Sequence, residues 1–257
     1  MLKALFAAAL LSGSLHAKIV TQDVEYKDGK TVLQGYLAYD DSRPKAPGVL
    51  IAHQWMGLTD YEKGRARQIA GLGYVAFAAD IYGKGVNAST MDEAGKQAGK
   101  YKGDRKLLRS RMIAGLKTLK SQKMVDPKQT AAIGYCFGGT AALELGRSGA
   151  DTLGLVSFHG GLDSPTPADG KNIKSKVLIM QGADDPFVPK KDIAACEDEL
   201  KAAKVDYQMV FYSGAVHAFT QPMAGNDNSK GAAYNEKADK RSWVAMTNFF
   251  SEIFKTN

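Results

Sequence analysis

The stretch Gly134-Tyr135-Cys136-Phe137-Gly138-Gly139 joins two segments of different character. Before it, Thr130–Ile133 is short and apolar without a helical period, which is typical of a buried parallel strand. After it, Thr140–Leu145 consists of small residues followed by good helix formers. A strand, a glycine-flanked turn and a helix are the context of a nucleophile elbow, because the glycines permit a sharp turn. We therefore predict that Cys136 is a catalytic thiol above a helix N-terminus that favours negative charge. The alternative is that Cys136 is a small buried packing residue.

The N-terminus predicts an exported protein. Lys3 precedes the apolar run Ala4–Leu11, and the small-residue segment Ser12–Ala17 follows. This is the pattern of a secretory signal peptide with cleavage after Ala17, and the apolar run is too short to span a bilayer. A retained anchor is the alternative. We expect residues 18–257 to form a soluble, periplasmic protein.

Length and charge favour one enzyme-sized domain without a nucleic-acid partner. The 257 residues carry a formal net charge of +7. The basic residues are scattered among acidic ones, and no nucleic-acid-binding motif is present. No repeat or domain boundary is visible, so residues 18–257 are predicted to form a single domain. Nothing in the sequence calls for a cofactor.

Strand-like and helix-like segments alternate along the chain. Lys18–Asp40 predicts a hairpin that turns at Asp28-Gly29. Apolar strands then alternate with helical segments, and Thr59-x-x-Glu62 is a capping box at one helix start. Val86–Gly103 is small, polar and glycine-rich, and predicts a short excursion over the site. This alternation predicts a mostly parallel sheet that is covered by helices on both faces.

A thiol needs a base to become a strong nucleophile. His53, His159 and His217 each follow a predicted strand, but only His217 follows the last one. In α/β-hydrolases the nucleophile, the acid and the histidine occur in that order, so His217 is the predicted base. Asp184 and Asp185 both follow the intervening strand; we favour Asp185 as the acid, and Asp184 is the alternative.

Two backbone N–H groups should hold the oxyanion of a tetrahedral intermediate. They are predicted to come from Phe137, directly after the nucleophile, and from Trp55, in the loop after Ala52. The implied reaction is acyl transfer from an ester or lactone to water. A metal site made by His53, His159 and Asp185 is a weaker interpretation, because the spacings typical of metal ligands are absent.

The chain resembles the dienelactone hydrolase family of α/β-hydrolases. The resemblance is carried by three motifs and extends more loosely from about Gly48 to Phe254; the motifs are Gly134–Gly139, Gly182–Pro189 and Ala215–Phe219. It implies the fold and a Cys136–His217–Asp185 triad.

Two positions depart from the family pattern. Gln54 occupies the position where well-known members carry a glutamate that interacts with the thiol, so thiolate formation should depend on His217. Gln221 stands where members that act on dienelactones use an arginine, and the cations near the predicted excursion are Lys96, Lys100 and Lys102. These changes argue against dienelactone itself as the substrate.

The sequence therefore predicts a hydrolase of small carboxylic esters or lactones, with Gln54, Tyr82 and His159 lining the pocket. A non-hydrolytic binding protein on the same fold is one alternative, favoured by the glutamine at position 54. A domain stapled by a Cys136–Cys196 disulfide is the other, because both cysteines would lie in an oxidising compartment.

Overall fold

The computed structural model describes residues 18–255, and the predicted signal peptide lies outside them. Within this range the strands are β1 (Ile19–Asp28), β2 (Thr31–Asp40), β3 (Ala46–Ala52), β4 (Val75–Ala79), β5 (Val125–Tyr135), β6 (Gly154–Phe158), β7 (Lys176–Gly182) and β8 (Tyr207–Tyr212). The α-helices are α1 (Asp60–Gly71), α2 (Met91–Gly103), α3 (Arg105–Lys120), α4 (Phe137–Arg147), α5 (Lys190–Ala202) and α6 (Glu236–Ile253).

The strands form one sheet in the order β1-β2-β4-β3-β5-β6-β7-β8. The hairpin β1–β2 is antiparallel and turns at Gly29, as the Asp-Gly signal predicts. Strand β2 joins β4 in antiparallel fashion, and every later pairing is parallel. The predicted α/β-hydrolase fold with a mostly parallel sheet is therefore confirmed. Parallel pairing also brings the C-terminal ends of β3 to β8 to one edge of the sheet.

Both faces of the sheet are covered, because side chains alternate along each strand. In β3, Leu50 belongs to the core that contains residues of α3 and α5. Its neighbours Val49 and Ile51 belong to the opposite core, which contains residues of α1 and α6. A central strand buried on both faces explains why β3 is apolar throughout.

Helix α4, which begins directly after Cys136, is buried along its whole length. Arg147 in its last turn donates to Glu144 at 3.0 Å and to Glu199 of α5 at 2.7 Å. All three side chains are almost completely buried, and each charged group contacts a group of opposite charge. These contacts offset the free-energy cost of removing the charges from water. These ion pairs hold the C-terminal end of α4 against α5. Because α4 begins directly after Cys136, they also fix the position of the elbow at its N-terminal end.

The segment Val86–Gly103 contains a helix that its composition does not predict. Helix α2 covers most of it, and Thr90 caps its first turn by accepting from the Glu93 amide at 3.2 Å. Its buried face ends at Tyr101, whose ring stacks on Tyr82 with centroids 5.3 Å apart. The glycines lower helix propensity, so burial of one apolar face against the site is what stabilises this helix.

Strand β5 is longer than the apolar run suggests. It begins at Val125 and includes Asp126 and Pro127, which precede the apolar run. Pro47 pairs with Asp126 and the next residue, Gly48, pairs with Thr130, so the register shifts at this point. The bulge absorbs the proline, which lacks an N–H for the ladder. None of the helices within residues 18–255 has both the length and the apolar character needed to cross a bilayer.

Candidate active site

The turn at Cys136 has the geometry of a nucleophile elbow. Cys136 lies between β5 and α4 with φ 55° and ψ −119°, a backbone conformation that non-glycine residues rarely adopt. A Cβ atom on Gly134 would lie 1.9 Å from the Gly138 carbonyl oxygen, and one on Gly138 would lie 2.2 Å from the Ala52 carbonyl oxygen. Both flanking positions therefore require glycine, which explains the G-x-C-x-G pattern.

Three side chains from three different loops meet at this turn. His217 follows β8, and its Nε2 lies 3.0 Å from the Sγ of Cys136. Its Nδ1 lies 2.8 Å from the Oδ2 of Asp185, which follows β7. The other oxygen of Asp185 accepts the Phe187 amide at 2.8 Å, and this second bond fixes the carboxylate. The structure thus brings together the predicted nucleophile, base and acid.

The alternative acid, Asp184, does not reach the histidine. Its Oδ2 accepts the Gly214 amide at 3.1 Å, at the surface of the protein. The side chain of Asp185, by contrast, is only 2% exposed. Of the two adjacent carboxylates, the one that contacts His217 is Asp185.

The contact between Cys136 and His217 favours the charged form of both. Burial opposes the thiolate, but the charge of His217, its hydrogen bond and the Phe137 amide lower the pKa of the Cys136 thiol below its usual value. Burial likewise opposes the imidazolium, yet Cys136 and Asp185 raise the pKa of His217 to about 10. At neutral pH these directions favour a thiolate–imidazolium pair.

The two residues predicted to supply the oxyanion donors pack in the cluster that contains Cys136. Phe137 is the first residue of α4, and its N–H faces Cys136. Trp55 packs in the same cluster as Cys136, and its carbonyl accepts the Tyr82 hydroxyl at 2.9 Å. Within residues 18–255 the Trp55 amide has no protein acceptor, so it is available to a ligand.

The loop that carries Trp55 is held by a carboxylate that the sequence indicates only as a helix cap. Glu62 accepts from the amide and the hydroxyl of Thr59, which confirms the predicted capping box. Its other oxygen accepts the Gln54 amide at 3.2 Å. Glu62 is fully buried, and burial raises its pKa. One side chain therefore both caps α1 and fixes the residue that precedes Trp55.

Tyr82, Gln54 and His159, the three residues predicted to line the pocket, differ in their burial and in their contacts. Tyr82 packs edge-on against His53 and beside Phe137, with centroids 4.6 Å and 5.8 Å away. Gln54 is 9% exposed in the oxyanion loop. His159 is completely buried, and its Nδ1 accepts the Cys136 amide at 3.2 Å. The prediction that His159 lines the pocket is wrong, because its side chain has no exposed surface and both of its ring nitrogens are engaged.

His53 and His159 are also unsuited to the metal site considered from the sequence. The Nδ1 of His53 donates to the Gln54 carbonyl at 2.6 Å, and its Nε2 accepts the Ile81 amide at 3.1 Å. Burial lowers the pKa of His53 to about 4 and depresses that of His159 as well. Within residues 18–255 no group of three or more His, Cys, Asp or Glu side chains is arranged so that it could hold a metal ion.

The proposed disulfide is absent from the described structure, where both cysteines are free. Cys196 is 2% exposed in α5, where it packs in the core as its helical position suggests. Burial raises the pKa of its thiol to about 11. Cys136 instead contacts His217, so the disulfide-stapled alternative is wrong for this structure.

An exposed aromatic residue at the rim of the site lies within the Gly182–Pro189 motif, although the sequence by itself assigns it no role. Phe187 is 59% exposed, and its ring lies edge-on to His217 with centroids 5.6 Å apart. Its position two residues after Asp185 is the one signal that could have pointed to it. Phe187 provides an apolar surface directly beside the base.

Known proteins are similar to this chain over most of its length. A sequence model described as "Dienelactone hydrolase family" matches residues 33–254. A protein of Aquifex aeolicus named "Putative carboxymethylenebutenolidase" is 28% identical, over 91% of this chain and 99% of its own. The solved structure named m3DLH is 42% identical with a TM-score of 0.89, and covers 92% of this chain and 99% of its own. A dienelactone hydrolase-like promiscuous phosphotriesterase from metagenomic libraries is 40% identical with a TM-score of 0.88, over 93% and 100% of the two chains.

The family match spans most of the chain, from β2 to the end of α6. Fold, elbow and sequence similarity agree, and they favour a hydrolase over the non-hydrolytic binding protein considered from the sequence. The chain belongs to the dienelactone hydrolase family and is a hydrolase of the α/β-hydrolase fold.

Proposed function

We propose that this hydrolase cleaves a small carboxylic ester or lactone, with Cys136 as nucleophile, His217 as base and Asp185 as the acid that orients it. The observation that carries the proposal is the continuous contact from Asp185 to His217 at 2.8 Å and from His217 to Cys136 at 3.0 Å. Both distances are within the reach that proton transfer requires.

The thiolate of Cys136 attacks the carbonyl carbon, and the carbonyl oxygen becomes an oxyanion held by the amides of Phe137 and Trp55. The tetrahedral intermediate collapses, the C–O bond of the ester breaks, and His217 gives its proton to the leaving alkoxide. The product of this step is a thioester on Cys136. In a lactone the new hydroxyl remains attached to the acyl chain.

Water completes the cycle. His217, now neutral, takes a proton from a water molecule as that water attacks the thioester carbon. The thiolate leaves, and the free acid is released with the imidazolium again paired to Cys136. Asp185 stays ionised and accepts a hydrogen bond from Nδ1–H throughout, so the ring keeps the orientation that points Nε2 at the sulfur.

The test is turnover of p-nitrophenyl acetate by residues 18–257, compared with Cys136→Ala. Cys196→Ala is the matched control, because it removes the other thiol from a buried position away from His217. We expect Cys136→Ala and iodoacetamide treatment to abolish turnover, and Cys196→Ala to retain it. Equal turnover by the wild type and Cys136→Ala would refute the proposal.

A phosphotriester is the second candidate substrate. The relative named a promiscuous phosphotriesterase is 40% identical over nearly the whole chain. A thiolate flanked by amide donors could attack phosphorus as it attacks carbon. Paraoxon, tested in parallel with a panel of lactones, distinguishes the two: the favoured class is the one with the higher kcat/KM that also depends on Cys136.

We also propose that the protein is exported. The support is the order of the lysine, apolar and small residues in 1–17, outside the described structure. Expression of the full chain in a bacterial host tests this proposal by N-terminal sequencing of the periplasmic fraction. A protein that begins at Lys18 supports it, and an intact Met1 in the cytoplasm refutes it.

A further inference from the structure

His159 is a buried imidazole that the proposed mechanism does not use. It directly follows β6, is completely buried, and has φ 40°, in the left-handed region that non-glycine residues seldom adopt. Such a conformation persists only where the surrounding structure fixes it. The contacts of the His159 ring show which surrounding groups hold it in this conformation.

Those contacts determine its tautomer. The backbone N–H of Cys136 can only donate, and it is shared between the Phe158 carbonyl at 3.0 Å and the Nδ1 of His159 at 3.2 Å, so this Nδ1 accepts and carries no proton. The ring proton of neutral His159 is therefore on Nε2, which donates to the Oγ1 of Thr220 at 2.8 Å. Burial and the charge of His217 keep the pKa of His159 well below its usual value, so this ring stays neutral when His217 is charged.

The same ring contacts the base. The rings of His159 and His217 meet edge to face with centroids 5.1 Å apart. Thr220 lies three residues after His217 in the same loop, and its hydroxyl also lies 2.7 Å from that of Tyr61 in α1. His159 thus contacts the backbone of the nucleophile, the ring of the base and the loop that carries the base.

We propose that His159, held by its hydrogen bond to Thr220, is a positioning residue that sets the separation between Cys136 Sγ and His217 Nε2. The inference rests on the proposed function, in which that separation governs proton transfer. It predicts that loss of the Thr220 hydroxyl weakens catalysis without weakening substrate binding, because Thr220 is buried and its hydroxyl reaches the site by its hydrogen bond to His159.

Thr220→Val tests this inference, because valine has the shape of threonine without the hydroxyl. One lost hydrogen bond corresponds to a fall in kcat of roughly threefold to tenfold, with KM unchanged. Alkylation of Cys136 by iodoacetamide should slow by a similar factor. Thr220→Ser restores the hydroxyl and should restore both rates. Tyr61→Phe is the matched control: it removes the other hydroxyl that contacts Thr220 and leaves the bond to His159, so both rates should stay near those of the wild type.

A Thr220→Val protein with wild-type kcat and alkylation rate overturns the inference. So does a Tyr61→Phe protein that loses as much as Thr220→Val, since the effect would then belong to the buried cluster as a whole. If Thr220→Val does not fold, His159→Gln and His159→Leu replace it. Glutamine offers one acceptor and one donor, so it should retain more activity than leucine, and equal loss overturns the inference.

The alkylation rate separates this inference from the proposed function. A wild type that reacts with iodoacetamide at Cys136 but hydrolyses no ester would refute the proposed reaction. The alkylation series on the Thr220 and Tyr61 variants would still report whether His159 positions the thiol against His217.

Discussion

Replacement of Asp185 by asparagine removes one charge from the centre of the candidate site. The Oδ2 of Asp185 lies 2.8 Å from His217 Nδ1, and its side chain is only 2% exposed, so water screens this pair weakly. Two unit charges about 4 Å apart interact by about 4 kcal/mol at an effective dielectric constant of about 20. Loss of that interaction corresponds to a fall in kcat/KM of about 10³-fold. The new amide can also donate to Nδ1, which stabilises the wrong tautomer of His217.

The assay is kcat/KM for p-nitrophenyl acetate at pH 7, with thermal unfolding to confirm that each variant is folded. Asp184→Asn is the matched control, because this neighbouring carboxylate is exposed. The asparagine side chain still offers an oxygen that can accept the Gly214 amide. We expect Asp184→Asn to stay within about twofold of the wild type, as surface substitutions usually do. A folded Asp185→Asn protein within about tenfold of the wild type would refute the charge argument. An equal loss of kcat/KM in Asp184→Asn would show that the assignment of the acid to Asp185 is wrong.

Three further predictions concern the thiols, the oxyanion loop and the elbow. At pH 7 iodoacetamide should modify Cys136 and leave Cys196 unmodified in the folded protein, because the pKa of Cys136 is lowered and that of Cys196 is raised to about 11. The rate of alkylation at Cys136 should fall as the pH drops through the pKa of its thiol. Peptide mass spectrometry of the labelled protein measures both the site and the rate. Glu62→Gln places an amide donor against the Gln54 N–H, and should lower kcat by roughly tenfold and the unfolding free energy by about 1–2 kcal/mol; wild-type kcat would contradict the role of Glu62. Gly138→Ala should lower the free energy of unfolding by at least about 3 kcal/mol in urea unfolding. The new Cβ would lie 2.2 Å from the Ala52 carbonyl oxygen, and neither backbone segment can move freely. A loss below about 1 kcal/mol would show that the elbow relaxes.

The features that the sequence predicts best are those that depend on neighbouring residues. The elbow follows from glycines two positions either side of Cys136, and the structure gives each a backbone contact that admits no side chain. The capping box at Thr59 is equally local. Helix α2 was missed because its glycines argue against a helix, whereas its stability comes from burial of Tyr101.

The prediction for His159 failed for a different reason. Its place at the end of β6 brings it to the catalytic edge of the sheet, which the sequence indicates correctly. A strand end does not specify whether the side chain faces the substrate or the interior. That choice depends on a positive φ and on Thr220, a partner 61 residues away in the chain. The second contact of Glu62, to Gln54, is likewise invisible in the capping motif.

The sequence by itself determined the alternation of strands and helices, the sharp turn at Cys136, and the chain order of the candidate nucleophile, acid and histidine. Its three histidines outside residues 1–17 all follow strands, and only their order separated them. The tertiary structure decided which imidazole meets the sulfur: His217 lies 3.0 Å from it, while His53 and His159 have both nitrogens engaged by buried partners. Local patterns constrain the backbone over a few residues, whereas contacts between side chains of different loops are fixed by the order in which parallel strands assemble.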